Sequence, residues 1–391
     1  MEFNPSKCTV INISKSKHPY KSTYTLHGQT LETVSDAKYL GVSITSDLNW
    51  NKHINQDSLL SKRRLLHTTV FAQCFSPCGK YLVAASNFGH IAVYSLVAAL
   101  APNADEDTRR PIYSFKACNE GAIYSLVSTE SLLISAGNGD ICAWKWSEIL
   151  DKTAKIVWTL KVPQMQVFTN PEINSIALDK QESSTELYAG CGDNNVYVWD
   201  IETGEQTRTF SGHRDYVHCV CIKNSSRECV SAAEDGTVRI WDCRVGGEAV
   251  HILEPNKHEL TARSDLGKWV GCVACDNNED WLVCGGAPHL SSWHLRSLAP
   301  VSVFNTPGAT HNFVNFYDDT VISGGSEACV NHWFVNGDVK SKVPCSASTV
   351  FDVSINSNSS TNKVLCVSGS SPKIDVCTNF GYKAFSLLFE V

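Results

Sequence analysis

Three residues that can run an acyl-transfer relay stand near one another in the chain: His213, Ser231 and Asp235, with Trp241 just beyond. A serine attacks a carbonyl when a histidine takes its proton and a carboxylate orients the histidine. Such an enzyme must expose its serine, often on a GxSxG elbow, and no elbow of that form occurs here. Cys272 and Cys275, in WVGCVACD, form the one CxxC. No second ligand pair follows at zinc-finger spacing, so no metal centre is expected. Glycines cluster at GCGDN (190–194), GGAPH (285–289) and GGSEA (324–328). None fits a phosphate-binding loop, and all three are expected to be tight turns where glycine permits positive φ. No cofactor and no small-molecule substrate is expected.

The 17 cysteines are odd in number and scattered, many within apolar runs such as VHCVCI. They are expected to be buried free thiols of a reducing compartment. The net charge is −7, unevenly distributed. Residues 1–66 hold nine Lys/Arg against five Asp/Glu, which leaves 24 against 35 in residues 67–391. Bulk nucleic-acid binding needs a cationic surplus, and the main body has the opposite. No uninterrupted apolar run approaches 18 residues, so no membrane span is expected.

The elements that must position these residues repeat. Residues 211–242 run as a Gly-His turn, an alternating strand, a polar loop, a second strand, an Asp-Gly turn and a third strand ending in Trp-Asp. Weaker copies occupy 70–96, 122–146, 172–200, 268–295, 312–335 and 349–380, near the 40-residue period of propeller blades. A fourth strand follows each copy: PIYSFKA, KIVWTL, EQTRTF, AVHILE, APVSVFN, DVKSKVP and YKAFSLLF. This wording resembles the WD-repeat family. It implies an all-β fold, a seven-bladed WD-repeat β-propeller over 67–391, with YKAFSLLF closing the last blade. Inner strands are expected to be apolar on both faces. In WD repeats Trp241 donates to the serine, the serine meets the histidine, and the histidine meets the aspartate. The resemblance therefore implies a structural hydrogen-bond tetrad of His213, Ser231, Asp235 and Trp241, and no catalytic residue.

Two stretches fall outside the repeat. Residues 97–110 are expected to be a polar, exposed insertion in the first blade. Residues 53–67 could form a short helix with Leu59, Leu60, Leu65 and Leu66 on one face, and 56–66 are expected to be a linker helix. The opening 55 residues differ in character. FNPSKC, KYLGVSIT and LNWNKHI resemble pieces of a non-LTR retrotransposon reverse transcriptase. That family's catalytic carboxylates lie upstream of FNPSKC, and the isolated Asp36 and Asp47 do not replace them, so no polymerase activity is expected. Residues 1–55 are expected to be a non-functional, poorly packed α+β appendage. Tyr24–Leu26 and Thr30–Leu31 suggest a hairpin, and Lys38–Thr45 one further strand.

Further words are less generic: FSPCGKYLVAASNFGHIAVYSL, GKWVGC, WLVCGGAPHLSSWHLRS and TNFGYKAFSL. They resemble the THO complex subunit 6 family. The resemblance implies a non-catalytic scaffold in the nuclear THO/TREX assembly, which couples transcription and processing to mRNA export. It implies coiled-coil THO subunits as partners, indirect contact with messenger ribonucleoprotein, and a nuclear location, in speckles, with some cytoplasmic presence. Exposed aromatics and arginines anchor many interfaces, and Trp281 and Arg296 are candidate partner contacts. WDCR at 241–244 also fits the WDxR ending of propellers that dock on the cullin-4 ubiquitin-ligase adaptor. Asp242 and Arg244 would make that contact, and a substrate receptor is the alternative function.

Overall fold

Each repeat folds as an antiparallel meander, because short turns let each strand pair with its immediate successor. The computed structural model describes residues 9–10, 23–26, 29–34, 36–39, 42–45, 63–119, 121–163, 171–179, 185–357, 359 and 362–390. The chain divides into two units, Met1–Leu66 and His67–Val391.

The second unit holds seven four-stranded sheets, each made of consecutive strands. Their inner strands are Val70–Phe75, Ile123–Ser128, Ile173–Leu178, Val217–Lys223, Val270–Cys275, His311–Tyr317 and Val350–Ile355. Successive inner strands contact one another, and the seventh contacts the first, so the sheets close a ring. The outer strand of blade seven is Phe385–Leu388, and it pairs with Ser371–Cys377 of the same blade. Blade seven is complete without any described residue before 67.

A repeated irregularity shapes the centre. Every inner strand shifts register after its first residue, so a bulge falls at Phe71, Tyr124, Asn174, His218, Gly271, Asn312 and Phe351. A bulge leaves one residue unpaired and re-aims its side chain. These seven residues line a single cavity of about 380 Å³. The residue after the bulge then ties its blade to the next. Ser125 Oγ accepts from Ile176 N at 3.2 Å, and Ser175 Oγ accepts from Val220 N at 3.2 Å. Asp352 Oδ2 accepts from Gln73 N at 2.8 Å. Asn174 and Asn312 donate from Nδ2 to Val217 O and Val350 O of the following blades. Edge N–H and C=O groups that a blade cannot satisfy itself are thus met by its neighbour.

The expectation that inner strands are apolar and buried on both faces is corrected. In Val217–Lys223 only Val217, Val220 and Lys223 are buried, with two half-buried residues between each. The fully enclosed strands are the second and third, such as Glu228–Ala233 and His90–Ser95. Inner strands border the central cavity on one side, whereas the middle strands lie between blades.

The glycine expectation is also corrected. Gly285, Gly286, Gly324 and Gly325 end second strands and do not have positive φ. A Cβ on Gly325 would lie 1.8 Å from Thr310 O, and one on Gly324 would lie 2.6 Å from Val350 Cγ1. These glycines permit close approach of the bulged inner strand of their own blade and of the next blade.

Blade one meets blade seven through one apolar cluster that includes Val70, Leu82, Tyr94, Cys366, Ile374, Val376 and Leu387. Polar ties reinforce it. Gln73 Nε2 donates to Cys366 O at 2.8 Å, and Tyr94 OH donates to Leu388 O at 3.1 Å. The insertion at 97–110 is less exposed than expected. It opens with a helix, Leu96–Ala99, whose Leu96 and Ala99 are buried and whose Ala98 N–H donates to Ser95 Oγ. Arg109 lies over the Phe385 ring at 4.9 Å, and Arg110 approaches Glu390 at 3.8 Å. The insertion therefore braces the closing seam.

In the first unit Thr25–Leu26 and Gln29–Thr30 form the expected hairpin. Where one strand was expected there are two, Asp36–Tyr39 and Val42–Thr45, paired antiparallel with Tyr39 opposite Val42. Thr9–Val10 pairs in parallel with Glu32–Thr33. Residues 63–66 are helical, and the rest of the expected linker helix, like FNPSKC and LNWNKHI, lies outside the described residues.

Candidate functional site

Blade four brings the four chemistry-bearing residues together. Trp241 Nε1 donates to Ser231 Oγ at 2.8 Å, and Ser231 Oγ lies 2.7 Å from His213 Nε2. His213 Nδ1 lies 3.1 Å from Asp235 Oδ2. Asp235 also accepts from the backbone N–H groups of Arg214 and Thr237 and from Thr237 Oγ1. The strands explain the placement. Ser231 and Trp241 sit on adjacent strands, Glu228–Ala233 and Val238–Asp242, while His213 and Asp235 sit in two turns at the same end.

Burial pushes the His213 pKa down despite its carboxylate partner. Burial opposes charge on Asp235, but hydrogen bonds from His213, Arg214 N–H and Thr237 outweigh it and hold the carboxyl far below its ordinary range. Ser231 and Trp241 have no exposed surface. A nucleophile must meet its substrate, and this serine is sealed between strands while it accepts from an indole. The geometry suits the satisfaction of buried polar groups.

Partial copies of the chain recur that sequence reasoning had passed over. Trp144 Nε1 donates to Ser135 Oγ at 3.0 Å, and Trp333 Nε1 donates to Ser323 Oγ at 2.9 Å. The legible signal was a serine on the second strand nine or ten residues before a tryptophan on the third. Blade five differs, since Trp293 Nε1 donates to Ser291 Oγ of its own strand. At the junction of blades five and six, burial and then the charge of Arg263 push His311 down to about 4. Its Nε2 lies 2.8 Å from Thr306 Oγ1.

The CxxC lies on the strand Val270–Cys275, where residues three apart point to opposite faces. Cys275 Sγ lies 3.8 Å from Cys221 Sγ, whereas Cys272 turns toward Gly285 O and His311 O. All the cysteines among the described residues are free. Burial raises most of their pKa values, including Cys284 to about 12. Among the described residues no cluster could hold a metal ion, and no helix is long and apolar enough to cross a membrane.

Asp242 and Arg244 engage each other. Arg244 Nε and Nη2 donate to the two carboxylate oxygens of Asp242 at 2.9 and 2.7 Å, and these bonds hold Asp242 down to about 2. The Arg244 side chain is exposed. Trp281 and Arg296 are both exposed in blade five, on the end that carries the turn between first and second strands and the turn between third and fourth. Trp281 packs on His294 with ring centroids 5.1 Å apart and lines a groove of about 630 Å³ between blades five and six. A second surface was missed from sequence. Phe71 packs against Tyr124 and Phe351 at the central cavity, and His218 meets Glu234 at 2.8 Å beside Trp269. Its signal was the second residue of every inner strand.

A family model described as "WD domain, G-beta repeat" matches residues 204–242, the stretch that contains the complete chain. With the closed ring of seven blades, this defines a WD-repeat β-propeller. The chain is 46% identical over 325 residues to the THO complex subunit 6 homolog of Danio rerio, covering 83% of this chain and 98% of that protein. It is 42% identical over 338 residues to THO complex subunit 6 of Homo sapiens, covering 86% and 97%. For THO complex subunit 6 of Drosophila melanogaster the identity is 34% over 321 residues, covering 81% and 88%. The chain belongs to the THO complex subunit 6 family.

Proposed function

We propose that this protein is a non-catalytic scaffold subunit of a nuclear THO/TREX assembly that couples transcription and processing to mRNA export. The observation that carries this reading is the similarity to THO complex subunit 6 proteins along nearly their whole length. The fold is compatible with it. A ring whose blades are tied by hydrogen bonds is a rigid platform, and its turns present side chains to partners. The partners are the coiled-coil THO subunits, messenger ribonucleoprotein is met through them, and the protein resides in the nucleus, in speckles, with some in the cytoplasm. Trp281 and Arg296 are partner contacts in this reading. The buried chain of His213, Ser231, Asp235 and Trp241 serves architecture.

Affinity purification of the tagged full chain tests the proposal. THO subunits should be recovered, and their absence would reject it. Nothing in the fold or among the relatives favours the ligase-receptor role of Asp242 and Arg244. Recovery of the cullin-4 adaptor that is lost in Arg244→Ala would revive that role. Primer extension by the purified chain should give no product, and metal-dependent extension would contradict the reading of residues 1–55 as non-functional.

A further inference from the structure

The groove between blades five and six combines two features that oppose each other in water. An apolar strip of Trp281, Val301, Phe316 and Val335 lines it, among asparagine and serine side chains. Trp281 remains 37% exposed, Val301 57% and Val335 51%. Phe334 and Val339 are further exposed apolar side chains of blade six. Strand propensity explains one exposed valine, but adjacent blades that converge on one exposed apolar strip are the mark of a contact surface.

The margin is acidic. Asp276, Asp318 and Asp319 lie on it, and among the described residues none forms an ion pair. Some carboxylates elsewhere in the ring find cations, as in Lys223–Glu228, Arg244–Asp242 and Lys342–Glu327. Asp276 has a local role, since it accepts from Trp281 N at 2.8 Å and Asn278 N at 3.3 Å. Asp318 adopts a left-handed φ of 48° in the turn before Thr320–Gly325. Neither role neutralises the charge. Lys363 lies over the Tyr317 and Phe380 rings and feels the charge of Asp318 without forming an ion pair with it, and Lys340 lies over Phe334.

We propose that this groove docks a basic, apolar segment of a partner protein, one that places aliphatic side chains on Trp281, Val301 and Val335 and arginine or lysine heads against Asp276, Asp318 and Asp319. Charge complementarity selects this occupant. An acidic or purely apolar segment would leave three carboxylates partly desolvated and unpaired, whereas a long cationic side chain covers apolar surface with its stem and meets carboxylates with its head. The inference deepens the scaffold reading and rests on it for the supposition that a protein partner exists.

The test uses the purified full chain and a short fluorescent peptide of alternating leucine and arginine pairs, with a glutamate-for-arginine peptide as control. The leucine–arginine peptide should bind, weaken with added salt, and quench tryptophan fluorescence, while the control should not bind. The triple variant Asp276→Asn, Asp318→Asn, Asp319→Asn keeps an acceptor for the Trp281 N–H, gives up the longer bond from Asn278 N–H, and should weaken binding about tenfold. Val301→Asp separates specific docking from general attraction. It makes the chain more acidic, yet it should weaken binding because it spoils the apolar strip. Neutralising Glu202 and Glu205 on blade three by Glu→Gln should leave binding unchanged. The proposal is overturned if the triple variant binds normally, if Val301→Asp binds more tightly, or if the blade-three variant weakens as much as the triple variant. Failure of the scaffold reading has a different signature, namely no THO subunit recovered with the full chain.

Discussion

Blade four and blade seven face the same problem and solve it with different chemistry. In each, the turn that enters the inner strand must be fixed to the blade it joins. Blade four uses a relay through an imidazole, in which Asp235 holds His213, His213 meets Ser231, and Trp241 donates to Ser231. Blade seven uses a single hub, the buried Asp375. Asp375 accepts from Ser346 N–H, from Ser346 Oγ at 2.7 Å and from Ser386 Oγ at 2.6 Å, with Lys383 at 3.7 Å. The difference shows that the fold requires satisfied polar groups at this place and tolerates wide variation in which residues supply them. The WD family model matches residues 204–242, which hold the relay of blade four, and blade seven has the same four-stranded order.

The comparison can be broken most directly at its apolar end. Trp241→Ala removes a fully buried indole and one of the two partners of Ser231 Oγ, and it should lower stability by about 3–5 kcal/mol in urea unfolding followed by circular dichroism. Asp375→Ala should cost about 3 kcal/mol, because several donors lose their acceptor at once in a buried site. If it is instead neutral, the hub is dispensable and the two blades are not equivalent.

A third change should act in the opposite direction, at the seam where blade seven meets blade one. Asp352 as a residue is half-buried, yet protein surrounds its carboxyl, and burial pushes it up to about 7. Between the ordinary carboxylate value near 4 and 7, the folded chain holds a proton that the unfolded chain has lost. Stability therefore falls as pH rises through that window and levels off above it. Asp352→Asn keeps an acceptor for Gln73 N and should flatten the decline, a gain of about 2 kcal/mol at pH 8 and little at pH 4. Equal pH profiles for the two proteins would refute this.

His213→Gln sharpens the comparison more gently, with an expected loss of about 1 kcal/mol at neutral pH. Because burial lowers the His213 pKa, the unfolded chain binds a proton before the folded one as pH falls below the ordinary histidine value. The stability that His213 contributes is present above that value and is lost as pH falls, so the variant should show a shallower acid decline. The smallest effect belongs to Arg244→Ala, whose guanidinium is solvated and paired only with Asp242. Its unfolding midpoint should match that of the parent protein.

Much of the ring was legible in the sequence because its signals are local. The His213, Ser231, Asp235 and Trp241 spacing lies within one repeat, and all seven outer strands, down to Phe385–Leu388, fall where their wording placed them. The reading failed where a residue's reason lies in another blade. Gly324 looked like turn chemistry, but it makes room for Val350 of the next blade. The insertion at 97–110 looked solvent-bound, but it reaches Phe385 and Glu390 across most of the chain. Lys38–Thr45 looked like one strand, because apolar alternation does not reveal where a chain folds back on itself.

Sequence alone determined the blade count, the strand order within each blade and the family, since periodicity and turn residues act over a few tens of positions. Tertiary structure alone decided the bulged ring around the central cavity, the Gln73–Asp352 tie that closes the seam, and the acidic, apolar groove between blades five and six. The physical reason is that these features exist only where two blades meet. The carboxylates, glycines and valines that build them carry no mark in the chain of which neighbour they will face.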